Sequence, residues 1–441
     1  MSTFFSRCLH RSSLAVAITA LVSMNATAEQ ATPVEPMVSV PPTAQQQVTL
    51  ANYLQNPFSQ WGFSNSSAVA NSLHIARAGS LPNWMAMADE EMASLNVELE
   101  GGKLRTVEQL FSDLYSTAVI VTRGDQILFE RYASGGNRHQ PHIWFSMTKS
   151  LVTTAFGLLV EQGKVDLEKS PADYIPELNG SGFERTTIQQ VLDHTTALAF
   201  VENYTDPEAP FARFYAPALG MMYAPGAADV KPGETEIYGV HDFLAHYVEE
   251  NPELQPGEAF EYNSANADVI GWLVARLSGQ PLAEFIEQHI WQPLGTEHDA
   301  YLLADRALQG VATGGMNTTL RDAAQFGRLI ANRGRVGDNQ LVPAAWVDAS
   351  LQLTDYHRRN MARSNRSAAI PYEGYHNMWW ILDSKRGEYV AGGIYGQMIY
   401  IDRASGIVAA MYNHHVDASA ATSPDTQNKL RAFRAIARQY D

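Results

Sequence analysis

The chain has 441 residues, 45% hydrophobic and 18% charged, a globular composition that excludes collagenous, coiled-coil and wholly disordered architectures. Its 31 basic and 47 acidic side chains give a net charge of -16, and no Lys/Arg block is long enough to follow a phosphate backbone, so nucleic acid is excluded as a partner. The single cysteine, Cys8, lies too near the N-terminus to staple a core, which removes disulfide scaffolds, cysteine-based zinc sites and a cysteine nucleophile.

The first segment has Arg7 and Arg11 without an acid, an apolar run Leu14–Met24 and small residues Ala26-Thr27-Ala28. This reads as a secretory signal peptide, residues 1–28. The apolar run is shorter than the roughly 20 residues a membrane span needs, so no stable membrane anchor is expected after cleavage. Cleavage removes two arginines and no acid, taking the net charge from -16 to -18. The expected location is exported, periplasmic or secreted from a bacterium. Residues 29–47 are rich in Pro and Gln and read as an extended tether, which leaves 48–441 for one two-lobed catalytic domain.

In chain order, Ala118–Val121 and Ile127–Tyr132 flank Arg123-Gly124-Asp125 as a predicted hairpin. Ser146–Gln162 is apolar most of the way round and stops at Gly163, which predicts a buried helix. Helical patterns follow at Thr187–Leu192, Val240–Glu249, Ala267–Leu277, Leu282–Trp291, Thr319–Arg333 and Pro343–Leu351. Strand-like runs return at Trp379–Leu382, Met398–Ile401 and Ile407–Tyr412 before a last helix, Thr426–Gln439. The predicted class is α+β: an antiparallel sheet completed by distant segments, flanked by helices, with an inserted helical lobe.

Three groups of residues could carry chemistry. Ser146-Met147-Thr148-Lys149 opens the buried helix, and residues three apart share a helix face, so hydroxyl and ammonium can meet. A serine there also sits at the positive end of the helix dipole, where negative charge is favoured, although plain helix capping would explain it too. Tyr262-Asn263-Ser264 precedes a helical run. A serine nucleophile needs a base, and a phenol can serve when a neighbouring cation such as Lys149 lowers its pKa; a Tyr packed at a turn beside a capping Ser264 is the structural alternative. Gly392-Gly393-Ile394-Tyr395 enters a β-rich run, where glycines permit close approach of backbone or ligand. The Ile394 N–H could there complete an oxyanion hole with that of Ser146; a hairpin turn without catalytic meaning reads equally from the residues.

The order Ser146-x-x-Lys149, Tyr262-x-Ser264 and a glycine-rich strand edge resembles the serine β-lactamase and penicillin-recognising superfamily, in its class C-like branch. The hairpin TAVIVTRGDQILFERY, the segment VLDHTTAL and the run GGMNTTLRDAAQFGRLIANRG extend the resemblance from about Thr117 to Tyr412. AFVENYTDPEA, the Tyr-x-Ser form and GIYGQ are similar to 6-aminohexanoate-dimer hydrolases and related esterases. True β-lactamases of this branch carry Tyr-x-Asn and Lys-Thr-Gly, whereas here the last motif aligns with Ala391-Gly392-Gly393. The cation and hydroxyl that would hold a β-lactam carboxylate are missing.

The resemblance implies a serine hydrolase acting on a small ester or amide through a Ser146 acyl-enzyme, with Lys149 and Tyr262 as catalytic partners and no cofactor. Ser264, Gly392, Gly393, Tyr395 and Trp379 are expected along the substrate cleft. The alternatives on the same fold are a D-amino-acid peptidase, a transesterase, a β-lactamase or a non-enzymatic binding protein. No HExxH motif is present, and His241 and His246 are five residues apart, so no metal site is expected. His194 is expected to be structural.

Overall fold

A computed structural model describes residues 34–86, 90–114, 116–133, 136–203, 206, 208–221, 237–364, 372–418 and 423–441. The expected signal peptide and residues 29–33 lie outside the described residues. Glu35–Asp441 forms one compact unit. The Met37 N–H donates to the Gln46 carbonyl at 3.0 Å and the Met37 side chain packs on the core, so packed chain begins ahead of Val48 even though Val40 is 98% exposed.

One eight-stranded sheet organises this unit. Its strands are β1 (Met85–Ala86), β2 (Ser116–Arg123), β3 (Gln126–Tyr132), β4 (Gly374–His376), β5 (Trp379–Asp383), β6 (Glu388–Gly392), β7 (Met398–Asp402) and β8 (Ile407–Asn413). They run in the order β4-β5-β6-β7-β8-β2-β3-β1, antiparallel except where β1 pairs with β3. The predicted hairpin is β2–β3, and β8 closes on β2, joining the two ends of the chain in one sheet. The strand β6, short and ending in glycine, carried no clear alternation and was not expected.

Side chains alternate across β7, and the two faces meet different helices. Ile399 and, on β8, Val408 face α4 (Leu320–Ala331), where a β-carbon on Gly327 would come 2.6 Å from Val408 Cγ1 and 2.9 Å from Ile399 Cγ2. Glycine lets this amphipathic helix lie directly on the sheet. Tyr400 faces the other way and stacks on Phe433 of α6 (Pro424–Ala437), ring centroids 5.3 Å apart.

Between β3 and β4 the chain inserts the helical lobe. It holds α1 (Met147–Glu161), α2 (Ile188–Leu192), α3 (Ala265–Ser278) and α5 (Asp355–Arg363), while α4, from the same insertion, lies on the sheet. The predicted helix Leu282–Trp291 is α-helical to Ile286 and then widens to a π-turn over Glu287–Trp291. Pro293 offers no N–H to the His289 carbonyl four residues back, which removes the bond that would keep the coil tight there. A second, four-stranded sheet, not expected from the sequence, joins Ser72–Ile75, Ala300–Leu303, Met316–Thr318 and His142–Ile143. It matters for the site because it sets the chain just before Ser146 beside the chain at 313–316. Among the described residues, no helix is long and apolar enough to cross a membrane.

Candidate active site

Ser146 stands at the N-terminal boundary of α1 and, despite its position, does not cap the helix: no side-chain capping bond is formed. Its hydroxyl instead accepts a hydrogen bond from Lys149 Nζ at 2.8 Å. The helix geometry makes this possible, since the two residues are three apart. The approach to Ser146 is held rigidly. Trp144 donates its N–H to the Met316 carbonyl and its indole N–H to the Thr318 and Tyr412 hydroxyls, and Phe145 adopts the left-handed region at φ 47°, a conformation that surrounding structure must enforce.

Lys149 is 1% exposed. Its ammonium has a second acceptor, the Thr313 carbonyl at 2.9 Å, and lies 5.2 Å from the centre of the Tyr262 ring. Tyr262 is clamped between Trp380, stacked at 5.6 Å, and His194 at 5.0 Å. The segment carrying it is pinned from behind: His194 Nδ1 accepts the Asn263 N–H, and the Asn263 amide donates to the Phe200 carbonyl. His194 thus supports the tyrosine segment.

Ser264 is buried and opens α3. Its N–H donates to Glu202, a 6% exposed carboxylate that sequence reasoning did not single out. Ser146, Ser264, Thr313, Gly314 and Ile394 share a cleft with the apolar side chains of Phe145, Phe211, Leu219 and Met221, about 310 Å³ of space that is open to solvent. The first two motifs and Ile394 therefore meet at one place.

The glycine-rich edge is built by close approach. A β-carbon on Gly393 would lie 2.4 Å from the Trp144 carbonyl oxygen, so only glycine brings this strand edge against the chain two residues before Ser146. Gly392 faces Trp380. Tyr395 does not turn into the cleft; its ring packs on Phe63 and Phe145, and burial pushes its hydroxyl up to about 12. Nor does Trp379 line the cleft. It is 2% exposed and packs against Phe326 of α4 and Tyr389 of β6. The neighbouring Trp380 points to the opposite face and reaches Tyr262, as strand alternation requires.

Two further carboxylates stand behind the site. Asp268 on α3 is 2% exposed, accepts the Thr313 N–H at 2.9 Å and the Tyr215 hydroxyl at 2.6 Å. Burial pushes its carboxyl up to about 7, opposed by the Tyr215 hydrogen bond and the Lys149 charge. Asp193, after α2, gathers with His357 and His376 into a group whose ligand atoms lie within 4.8 Å of one another, brought together from three separate elements and invisible to pair spacing. The proton pattern decides its nature. His357 Nδ1 accepts the Thr354 N–H at 3.0 Å, which leaves the ring proton on Nε2, 3.4 Å from Asp193 Oδ2, and His376 Nδ1 lies 2.7 Å from Oδ1. A metal on His357 Nε2 would require the proton on Nδ1, where a backbone donor already points. This group is a carboxylate flanked by two imidazoles; against the cost of burial, the charge of His376 and hydrogen bonding to both rings hold Asp193 well below the ordinary carboxylate range.

Fold and site together define a serine hydrolase of the ester or amide type. The chain belongs to the beta-lactamase family, which it matches over residues 104–432. Among curated relatives, a 6-aminohexanoate-dimer hydrolase of Paenarthrobacter ureafaciens is 28% identical over 367 residues, covering 82% of this chain and 87% of that protein. An esterase, EstB of Burkholderia gladioli, is 25% identical over 209 residues, 44% of this chain and 48% of its own. Among solved structures, a candidate 6-aminohexanoate-dimer hydrolase from Bacillus anthracis superposes with a TM-score of 0.77 at 24% identity, covering 90% of this chain and 98% of that one.

Proposed function

We propose that this protein is an exported hydrolase that cleaves a linear amide or ester through an acyl-enzyme on Ser146. The observation that carries the reading is the buried Lys149 amine 2.8 Å from the Ser146 hydroxyl on the wall of an apolar cleft. Ser146 Oγ attacks the carbonyl carbon while its proton passes to Lys149 and Tyr262, and the carbonyl oxygen becomes an oxyanion. In this reading the N–H groups of Ser146 and Ile394 receive this charge; both residues line the cleft. Such preorganised donors are worth about 10² to 10³ in kcat each. Tyr262 returns the proton to the leaving amine or alkoxide as the C–N or C–O bond breaks. Water then releases the acid by the reverse path, and no cofactor enters.

A linear acyl chain suits a cleft lined by Phe145, Phe211, Leu219, Met221 and Ile394. The relative from Paenarthrobacter ureafaciens is a 6-aminohexanoate-dimer hydrolase, and an unbranched methylene chain fits the same apolar lining. The Ala391-Gly392-Gly393 edge offers no side-chain cation to a β-lactam carboxylate. The test is a panel on the purified protein: nitrophenyl esters, the linear aminohexanoate dimer, a D-alanyl peptide and a chromogenic cephalosporin. Turnover of the ester and the dimer is expected, with little on the other two. Preferential turnover of the D-alanyl peptide or the cephalosporin overturns the substrate assignment.

A further inference from the structure

We infer that Asp268 is a positioning residue for this reaction: its carboxylate fixes the Thr313 turn that holds the Lys149 amine against Ser146, and its negative charge governs when that amine can take the serine proton. The inference rests on the proposed role of Ser146 and Lys149 and adds a group that touches neither substrate nor the reacting hydroxyl.

The geometry is a short chain of bonds through a single residue. Thr313 gives its N–H to Asp268 Oδ1 at 2.9 Å and its carbonyl to Lys149 Nζ at 2.9 Å, and Lys149 gives a second hydrogen to Ser146 at 2.8 Å. Moving the carboxylate moves the Thr313 peptide, and with it one of the two acceptors that aim the amine. Thr313 and Gly314 also line the cleft, so the same anchor shapes the wall beside the nucleophile.

The charge has its own consequence. Asp268 lies in Ala265–Val274, whose residues are all buried, and an ionised carboxylate in such a place is costly unless it is paired. Besides burial, the groups acting on it are the Tyr215 hydroxyl from the turn Phe211–Tyr215, Lys149 from α1, the Thr313 N–H and, with opposite sign, Asp305 from the loop after Ala300–Leu303; Glu202 acts in turn on Tyr215. Lys149 is the cation in this set. Only the ionised carboxylate can stabilise the cation that Lys149 becomes when it accepts the serine proton, so the protonation of Asp268, and not only its hydrogen bond to Thr313, bears on the step.

Asp268→Asn separates charge from scaffold, because the amide oxygen can still accept the Thr313 N–H and the amide nitrogen can still meet Tyr215. The readout is the rate of covalent labelling by a fluorophosphonate across pH 5–10, with nitrophenyl ester kcat and KM measured alongside. The expected result is loss of the acid limb that the Asp268 carboxyl supplies and a plateau kcat lower by about tenfold, with KM within a few-fold of wild type. Asp268→Ala, which also frees the Thr313 N–H, falls further. If Asp268→Asn melts at assay temperature, Tyr215→Phe serves: it removes one hydrogen bond from the carboxylate, disfavours the anion and moves the acid limb to higher pH. A labelling profile of the folded Asp268→Asn, or of Tyr215→Phe in its place, that superimposes on wild type overturns the inference. Ser146→Ala is the control. Labelling that persists there sinks the nucleophile itself, a failure distinct from an unmoved profile with the control silent.

Discussion

Replacing Gly393 by alanine tests the oxyanion assignment without touching a side chain that does chemistry. The backbone there is extended, φ -126° and ψ 154°, which any residue adopts, so the whole effect is steric. The new methyl would be 2.4 Å from the Trp144 carbonyl oxygen, roughly 0.8 Å inside van der Waals contact, and that oxygen belongs to a residue held by its backbone N–H on Met316 and its indole N–H on the Thr318 and Tyr412 hydroxyls. Relief must come from the other side, by moving the strand edge and the Ile394 N–H away from Ser146. Overpacking of this size costs about 1–3 kcal/mol of stability, and a displacement near 1 Å costs on the order of 10² in rate. Gly393→Ala is thus expected to melt a few degrees lower, to keep KM near wild type and to lose about 10² in kcat on a nitrophenyl ester. A folded variant with kcat within threefold of wild type would refute the placement of Ile394 in the oxyanion hole.

Ser146→Ala is expected to lower ester turnover by at least about 10³ with an unchanged circular dichroism spectrum; wild-type rates in that variant would remove the nucleophile assignment. Lys149→Ala and Tyr262→Phe are expected to be strongly non-additive, because the two groups act on one proton, and a double variant whose loss equals the product of the single losses would speak against a shared network. Lys429 offers a stability test. It is fully buried beneath the strand edge, donating to the Gly396 carbonyl at 3.3 Å, and burial lowers its amine from 10.5 to about 8. Its folded value lies below its unfolded one, so the cost of a buried ammonium is complete below pH 8 and fades as pH rises towards 10.5. That cost is about 3 kcal/mol against about 1 kcal/mol for the hydrogen bond. Lys429→Met should therefore unfold at higher urea than wild type at pH 7, with the advantage gone by pH 10; an equal or lower midpoint at pH 7 would contradict it.

What the sequence revealed of the site follows from how local each relation is. Ser146 and Lys149 are legible because a helix puts residues three apart on one face, and the contact at 2.8 Å is that local rule realised. Tyr262 and Gly393 are legible as types, through resemblance, but their meeting with Ser146 depends on the order of strands and on the small sheet that brings His142–Ile143 beside Met316–Thr318. Trp379 and Trp380 show where composition stops. Two identical side chains in succession on a strand must face opposite ways, and which one reaches Tyr262 is decided by the register of β5 against β4 and β6, information that no single residue carries.

The carboxylates behind the site were the hardest to read, and for a different reason. Glu202, Asp193 and Asp268 acquire their roles only through partners 62, 183 and 45 residues away, so no window of sequence contains both halves. Asp268 alone left a local trace: an acid inside the run Ala265–Val274 that is otherwise built to be buried. A charge in such a run is a cost to folding, and a cost of that kind signals a partner that the fold must bring to it. Here the partner is the Thr313 turn, and through it the Lys149 amine. A polar side chain out of place in an apolar helix, one turn after a candidate tyrosine motif, is therefore as strong a pointer to the chemistry as the motif itself, provided it is read as a bond owed rather than as surface.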